Sequence, residues 1–198
     1  VAFVSEKKIE NSRGKIIPSH EDLNPNTRFI NNSVIRQLAD NIQLNSYSKS
    51  HTVNWSDQED YVRILHDKLI NSDLYNEYMA LPESTYASDK KFVEKFFTHI
   101  IAADEDFYSL MEEKSIYWND EIEFIISMVV RTIKGFSQTD DTYASLMSLY
   151  KDRDDEDFVK TLLRKAIINH TDHLELIKAN TKNWDLERIA YMDILIME

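Results

Sequence analysis

An all-helical fold is what the sequence predicts, and three observations predict it. Its 198 residues include only two glycines, Gly14 and Gly135, and three prolines, Pro18, Pro25 and Pro82. That is too few turn-formers for an all-β fold or a series of short βα turns. Apolar residues recur in adjacent pairs every four positions, most plainly at Phe92–Val93, Phe96–Phe97 and Ile100–Ile101. This is the spacing of a broad stripe along one helix face. Helix-start and helix-stop residues then punctuate the apolar runs where such a fold needs them. Hydrophobic residues make up 42% and charged residues 29%, the balance of a globular chain able to bury a core.

Residues 1–31 read as polar and irregular. The basic residues there, Lys7, Lys8, Arg13 and Lys15, fit a solvated linker or frayed helix end better than a nucleic-acid contact. Pro18 and Pro25 hold extended or turn backbone. A short helix is predicted from Ser33 to about Leu44, with Val34, Ile35 and Leu38 as its apolar side, followed by a Ser/Asn-rich loop over 45–55. Ser56-x-x-Glu59 has the form of a capping box. The helix it opens carries Tyr61, Val62, Leu65, Leu69 and Ile70 and runs to about Met79, bending near 71–73.

Ser88 or Asp89 is the expected cap of the Phe92–Ile101 stripe, and Asp104 restarts the chain into a shorter helix with Phe107, Tyr108, Leu110 and Met111. After Trp118, Asn119 or Asp120 caps an apolar helix from Ile122 to about Lys134, closed by Gly135. Residues 136–153 hold a short amphipathic piece around Tyr143, Leu146 and Met147. The last helix follows Trp184, capped by Asp185. From Ile189 it is apolar on nearly every face, which reads as burial on most sides. It reaches Met197-Glu198 without a cap and so reads as cut in mid-helix.

A repeat is visible at a constant offset. Phe158–Val159, Leu162–Leu163 and Ala166–Ile167 match the first paired stripe, Leu174, Leu176 and Ile177 match Tyr108, Leu110 and Met111, and Trp184 matches Trp118. Two readings fit: a duplicated helix–helix–Trp–helix unit, or the general likeness of any two amphipathic runs. The regions so marked are an N-terminal 1–87, a first helical unit 88–135, a connector 136–154 and a second unit 155–198.

Few residues announce chemistry. His170 and His173, three apart, could share a helix face, but no third ligand or general base stands at metal-site spacing, so solvated histidines at a helix start are the expectation. Asp104-Glu105-Asp106 and the run from Asp152 to Asp157 sit where helices begin, and the helix dipole accounts for them. Two isolated glycines cannot form a phosphate loop, and no Ser/His/Asp set stands out. No catalytic residue, cofactor or metal is expected. Trp55, Trp118 and Trp184 read as packing residues, with Trp118 and Trp184 wedging successive helices apart. Asp193 is the exception: it lies on a largely apolar helix, where burying an unpaired carboxylate is costly. Either it sits at an exposed edge or it meets a partner.

Net charge is −12 with no cysteine. Acidity on this scale disfavours phosphate binding, which needs clustered Lys and Arg. Absence of cysteine excludes disulfides and thiol chemistry and fits a reducing cytoplasm. The longest apolar run, Phe124–Val130, is far too short to span a membrane, and no signal-peptide pattern opens the chain.

Two stretches carry a family likeness. Trp184, Arg188, Ile189, Ala190, Asp193 and Ile196 form a Trp-x-x-x-Arg-Ile-Ala-x-x-Asp-x-x-Ile pattern that resembles the central helix signature of the NusB transcription antitermination factors. Asp22-Leu23-Asn24-Pro25-Asn26-Thr27-Arg28-Phe29 resembles the longer NusB proteins of Bacteroidetes-type bacteria. The resemblance implies two all-helical bundles and a bacterial, cytoplasmic, RNA-binding factor. With the ribosomal protein NusE it would bind boxA RNA and promote transcription of ribosomal RNA operons. It places Asp193 in the surface for NusE. The family's basic N-terminal helix and the segments after its signature helix have no counterpart here, so the resemblance covers the middle of such a protein, and no RNA-contacting residue is assigned. The alternatives are the NusB-like N-terminal domain of an RNA methyltransferase, which would require a glycine-rich cofactor domain, and a helical protein-interaction scaffold, which a duplication would suit.

Overall fold

The computed structural model describes residues 1–115, 118–146, 148, 150, 152–181 and 188–197, with only the backbone of 118–120. Among these the chain is all helical: eleven α-helices and no strand. It divides into two compact units, Val1–Met147 and Ser148–Glu198.

The first unit holds α1 (Ala2–Arg13), α2 (His20–Leu23), α3 (Ser33–Asp40), α4 (Ile42–Ser50), α5 (Glu59–Ile70), α6 (Asp73–Met79), α7 (Tyr86–Phe96), α8 (Glu105–Lys114) and α9 (Trp118–Gly135). Helix α7 is central. Its stripe of Phe92, Val93 and Phe96 is buried, as its spacing predicts, in a core shared with Phe29, Val34, Leu69, Tyr78 and Ile133. Ring edges of Phe29 meet Tyr75 and Phe92, while Tyr78 stacks on Phe92 at 4.0 Å between centroids. A second cluster joins Tyr61 and Leu65 of α5 to Phe107 and Met111 of α8 and Ile122 of α9. Residues on both sides of position 88 therefore fill common cores.

Several boundaries differ from expectation for local reasons. Residues 2–13 are helical, not irregular; Arg13 lies in the last turn of α1, where a cation suits the dipole, and Gly14 follows it. The predicted loop over 45–55 begins instead as α4, because Asn41 turns its side-chain oxygen to the Leu44 N–H and caps a new helix. Ser56 does not cap α5; residues 56–58 form a 3₁₀ turn and α5 starts at Glu59. Thr85, not Ser88 or Asp89, caps α7, in a reciprocal capping box with Ser88. The stripe ends in a π-helical turn, Phe97–Ile101, before Asp104 caps α8 as predicted. Described residues of 136–146 are turns rather than an amphipathic helix, and the Lys90 ammonium donates to the Lys134 and Phe136 carbonyls that close α9.

The second unit consists of α10 (Arg153–Asn180) and α11 (Tyr191–Met197). The interruption that a repeat of the 88–135 unit requires near Asn169–His170 is absent: α10 runs unbroken for 28 residues. In the first unit Asp104 supplies a capping carboxylate at the matching position; His170 offers no such cap, so the helix continues. Trp184 and the Asp185 cap lie outside the described residues, as does the side chain of Trp118. No helix among the described residues is long and apolar enough to cross a membrane.

Candidate functional site

Helix α10 begins where its sequence says it should. Asp152 accepts from the Asp155 N–H at 2.9 Å, and Asp154, Asp155 and Glu156 fill the positive end of the dipole. Its apolar residues form the predicted stripe, but the stripe is not covered. Phe158, Leu162, Leu163, Ile167 and Leu176 are 54–68% exposed, against 2–8% for the matching α7 residues Phe92, Val93 and Phe96. Only Ile177 is fully buried in this helix. Helix α11 packs on α10 and is itself exposed at Tyr191, Met192, Leu195, Ile196 and Met197, so the expected burial on most sides is not found. Asp193 lies in its first turn, exposed, with no ion pair among the described residues. The residue singled out by sequence thus stands beside an open apolar surface. Isolated apolar side chains on a protein surface are ordinary; this many along two successive helices make the second unit the candidate site.

The first unit buries polar side chains within its framework. Asn32 and Asp89, both fully buried, knit α3 to α7. The Asn32 oxygen accepts from the Val34 and Ile35 N–H groups at 3.0 Å, and its amide donates to the Tyr78 oxygen and the Asp89 carbonyl. The Asp89 carboxylate accepts from the Tyr78 and Ser84 hydroxyls and the Ser33 N–H, each at 2.7 Å. Burial pushes its pKa up, but these donors outweigh burial and hold it below the ordinary value. Burial, then Asp89, push the Tyr78 phenol up to about 12.

The Asp22–Phe29 stretch is likewise architectural. Ser19 and Asp22 form a capping box, and the Lys15 ammonium, first, with the Ser19 donors, lowers the Asp22 carboxyl to about 2. Asn26 donates to the Met79 carbonyl, Arg28 to those of Leu81 and Glu83, and Phe29 enters the core. Asp104 does more than cap α8: Lys68 donates to both its oxygens at 2.9 Å and Tyr61 to one at 3.2 Å. Burial, then the Asp104 carboxylate with Asp106 beside it, raise the Tyr61 phenol, and Asp104 raises the Lys68 ammonium.

One arrangement that sequence could not show is a Ser5–His66–Asp67 set. Ser5 Oγ lies 3.0 Å from His66 Nε2, and Asp67 Oδ1 lies 3.1 Å from Nδ1. The spacing imitates a nucleophilic triad, with the Lys8 ammonium added 3.2 Å from Nδ1 and 3.1 Å from Asp67 Oδ1, so the one ring nitrogen meets both a cation and a carboxylate. Ser5 and His66 are both buried. No signal in the sequence joins Ser5 to His66, because they are 61 residues apart.

No group of three or more His, Asp or Glu among the described residues could hold a metal ion. The chain matches no protein-family model, no curated protein and no solved structure.

Proposed function

We propose that this chain acts as a NusB-like transcription antitermination factor: a non-enzymatic, cytoplasmic helical protein that joins a basic ribosomal partner of the NusE type and, with it, boxA RNA. The observation that carries the reading is the open apolar surface of α10 and α11 with Asp193 exposed beside it. Such a surface suits a protein partner, and its neighbouring carboxylate suits a basic one. The two sequence stretches that resemble the family support the same reading, and so does the all-helical fold. Net charge of −12 argues that the protein partner, not the phosphate backbone, supplies most of the affinity.

The test is a titration of folded chain, its helicity checked by circular dichroism, with a NusE-type protein and separately with boxA RNA at moderate salt. Saturable protein binding is expected, with RNA binding weak in the partner's absence. Asp193→Ala should weaken the protein complex about fivefold, the scale of a ~1 kcal/mol exposed ion pair. Tight RNA binding by the chain alone, or no partner binding by folded chain, would defeat the reading. Unchanged affinity in Asp193→Ala would remove that residue from the surface.

A further inference from the structure

We infer that the first unit carries a docking site for an extended, arginine-bearing peptide segment of a partner protein, along the seam between α3–α4 and residues 137–146. Helix α4 has no buried residue and contributes to neither core. Its position is nevertheless held closely. The Ile42 N–H donates to the Thr142 carbonyl at 2.9 Å, the amide of the buried Asn41 to the Ala144 carbonyl at 2.8 Å, and the Leu146 N–H to Gln43 Oε1 at 2.9 Å. On α3, Gln37 donates to the Ser137 carbonyl at 3.0 Å. These bonds tie a turn segment to two helices that it does not bury.

Two clefts lie along the seam. The first, of about 440 Å³, is walled by Ile42 and Tyr47 of α4 and by Tyr143. Both tyrosines are exposed. His51, outside the cleft, stacks on the Tyr47 ring at 4.0 Å between centroids and steadies it. The second cleft, of about 370 Å³, is lined by Asp40, Asp140 and Asp141. Asp40 stands two residues before Ile42, and Asp141 two before Tyr143, so the carboxylates border the aromatic cleft. No Lys, Arg or His lines either cleft. Among the described residues no ion pair engages any of the three carboxylates. The Ser137 N–H donates to one oxygen of Asp140 at 2.7 Å and the Tyr143 N–H to one oxygen of Asp141 at 2.9 Å, which sets both carboxylates in place and leaves each a second oxygen.

Three features choose the occupant. Negative charge without a counter-cation attracts a basic segment and repels phosphate, so the exposed tyrosines do not serve a single-stranded nucleic acid. Tyrosine rings beside carboxylates favour guanidinium over ammonium, because guanidinium both stacks on rings and forks onto carboxylates. Each volume is that of a small-ligand site, too narrow for a helix of about 10–12 Å diameter and sufficient for single side chains of an extended chain. The segment sets an apolar side chain against Ile42, Tyr47 and Tyr143 and a nearby arginine among the three carboxylates.

The test is selection of short random peptides displayed against the full chain, followed by titration of one enriched synthetic peptide into isotopically labelled full chain by NMR. Enriched peptides should share an arginine close to an apolar residue, and amide shifts should cluster at residues 37–50 and 137–146. Tyr47→Ala and Tyr143→Ala should each weaken binding about fivefold. Asp140→Asn with Asp141→Asn keeps the oxygens that accept from Ser137 and Tyr143, so the turn stays folded, as circular dichroism checks. It should weaken binding about tenfold and flatten the salt dependence. Citrulline in place of the peptide's arginine, a neutral group of the same shape, should do the same, and oligothymidylate should leave the amides unmoved. No enrichment, enriched peptides without arginine, shifts away from the seam, affinity indifferent to citrulline or to the Asn pair, or oligothymidylate moving the same amides would each overturn the proposal.

Discussion

Asp89 shows how much of this molecule is decided by single side chains. It accepts three hydrogen bonds while almost wholly buried, so removing its carboxylate strands the Ser33 N–H and the Tyr78 and Ser84 hydroxyls. Unsatisfied buried donors cost about 1–3 kcal/mol each, with partial relaxation, so Asp89→Ala should lose about 3 kcal/mol in urea denaturation. Because its folded pKa lies below the ordinary 3.8, the stabilisation is present above that value and is lost as pH falls through the folded pKa. Asp89→Asn should therefore flatten the acid limb of the stability curve. The sequence marked Asp89 only as a possible helix cap. Its true partners lie up to 56 residues away, and periodicity carries no information about contacts at that distance. Asn32, Arg28 and His66 were illegible for the same reason. Asp104 and the run from Asp152 were legible as helix starts because a helix start is a local feature, its cap a hydrogen bond made within three residues.

At the scale of elements, the paired stripe gives a cleaner lesson. Phe92 and Phe158 occupy the same place in two runs of identical spacing, and both runs fold as helices. One ring is 2% exposed and the other 65%. Spacing determines that a helix has an apolar face; it says nothing of what covers that face. The energetic consequence is measurable. Phe92→Ala should cost about 3–5 kcal/mol, the lost transfer energy plus a cavity between α3, α6 and α7. Phe158→Ala should change stability by no more than ~0.5 kcal/mol, since an exposed ring leaves no cavity behind. Equal losses at the two positions would mean that the α10 face is buried in solution. The repeat failed at this scale too, because one capping carboxylate at position 104 and a histidine at position 170 decide whether two helices form or one.

For the whole molecule, scarcity of glycine and proline made the all-helical fold legible, whereas the open surface of the second unit depends on a covering that no residue pattern reports. That surface and the net charge make separable contributions to association. A charge of −12 acts over distance, and its reach shrinks to about 8 Å at physiological salt. Apolar contact acts only once water is expelled and is nearly indifferent to moderate salt. If a basic partner docks on α10 and α11, raising salt should slow its association severalfold and leave dissociation almost unchanged. Truncating exposed apolar residues, as in Leu195→Ala with Ile196→Ala, should do the reverse, since short-range losses appear mainly in the off-rate. Stopped-flow or surface-binding kinetics at three salt concentrations would separate the two. Salt acting on the off-rate alone would show that charge sits inside the contact rather than around it, and would move Asp193 from a steering position into the interface itself.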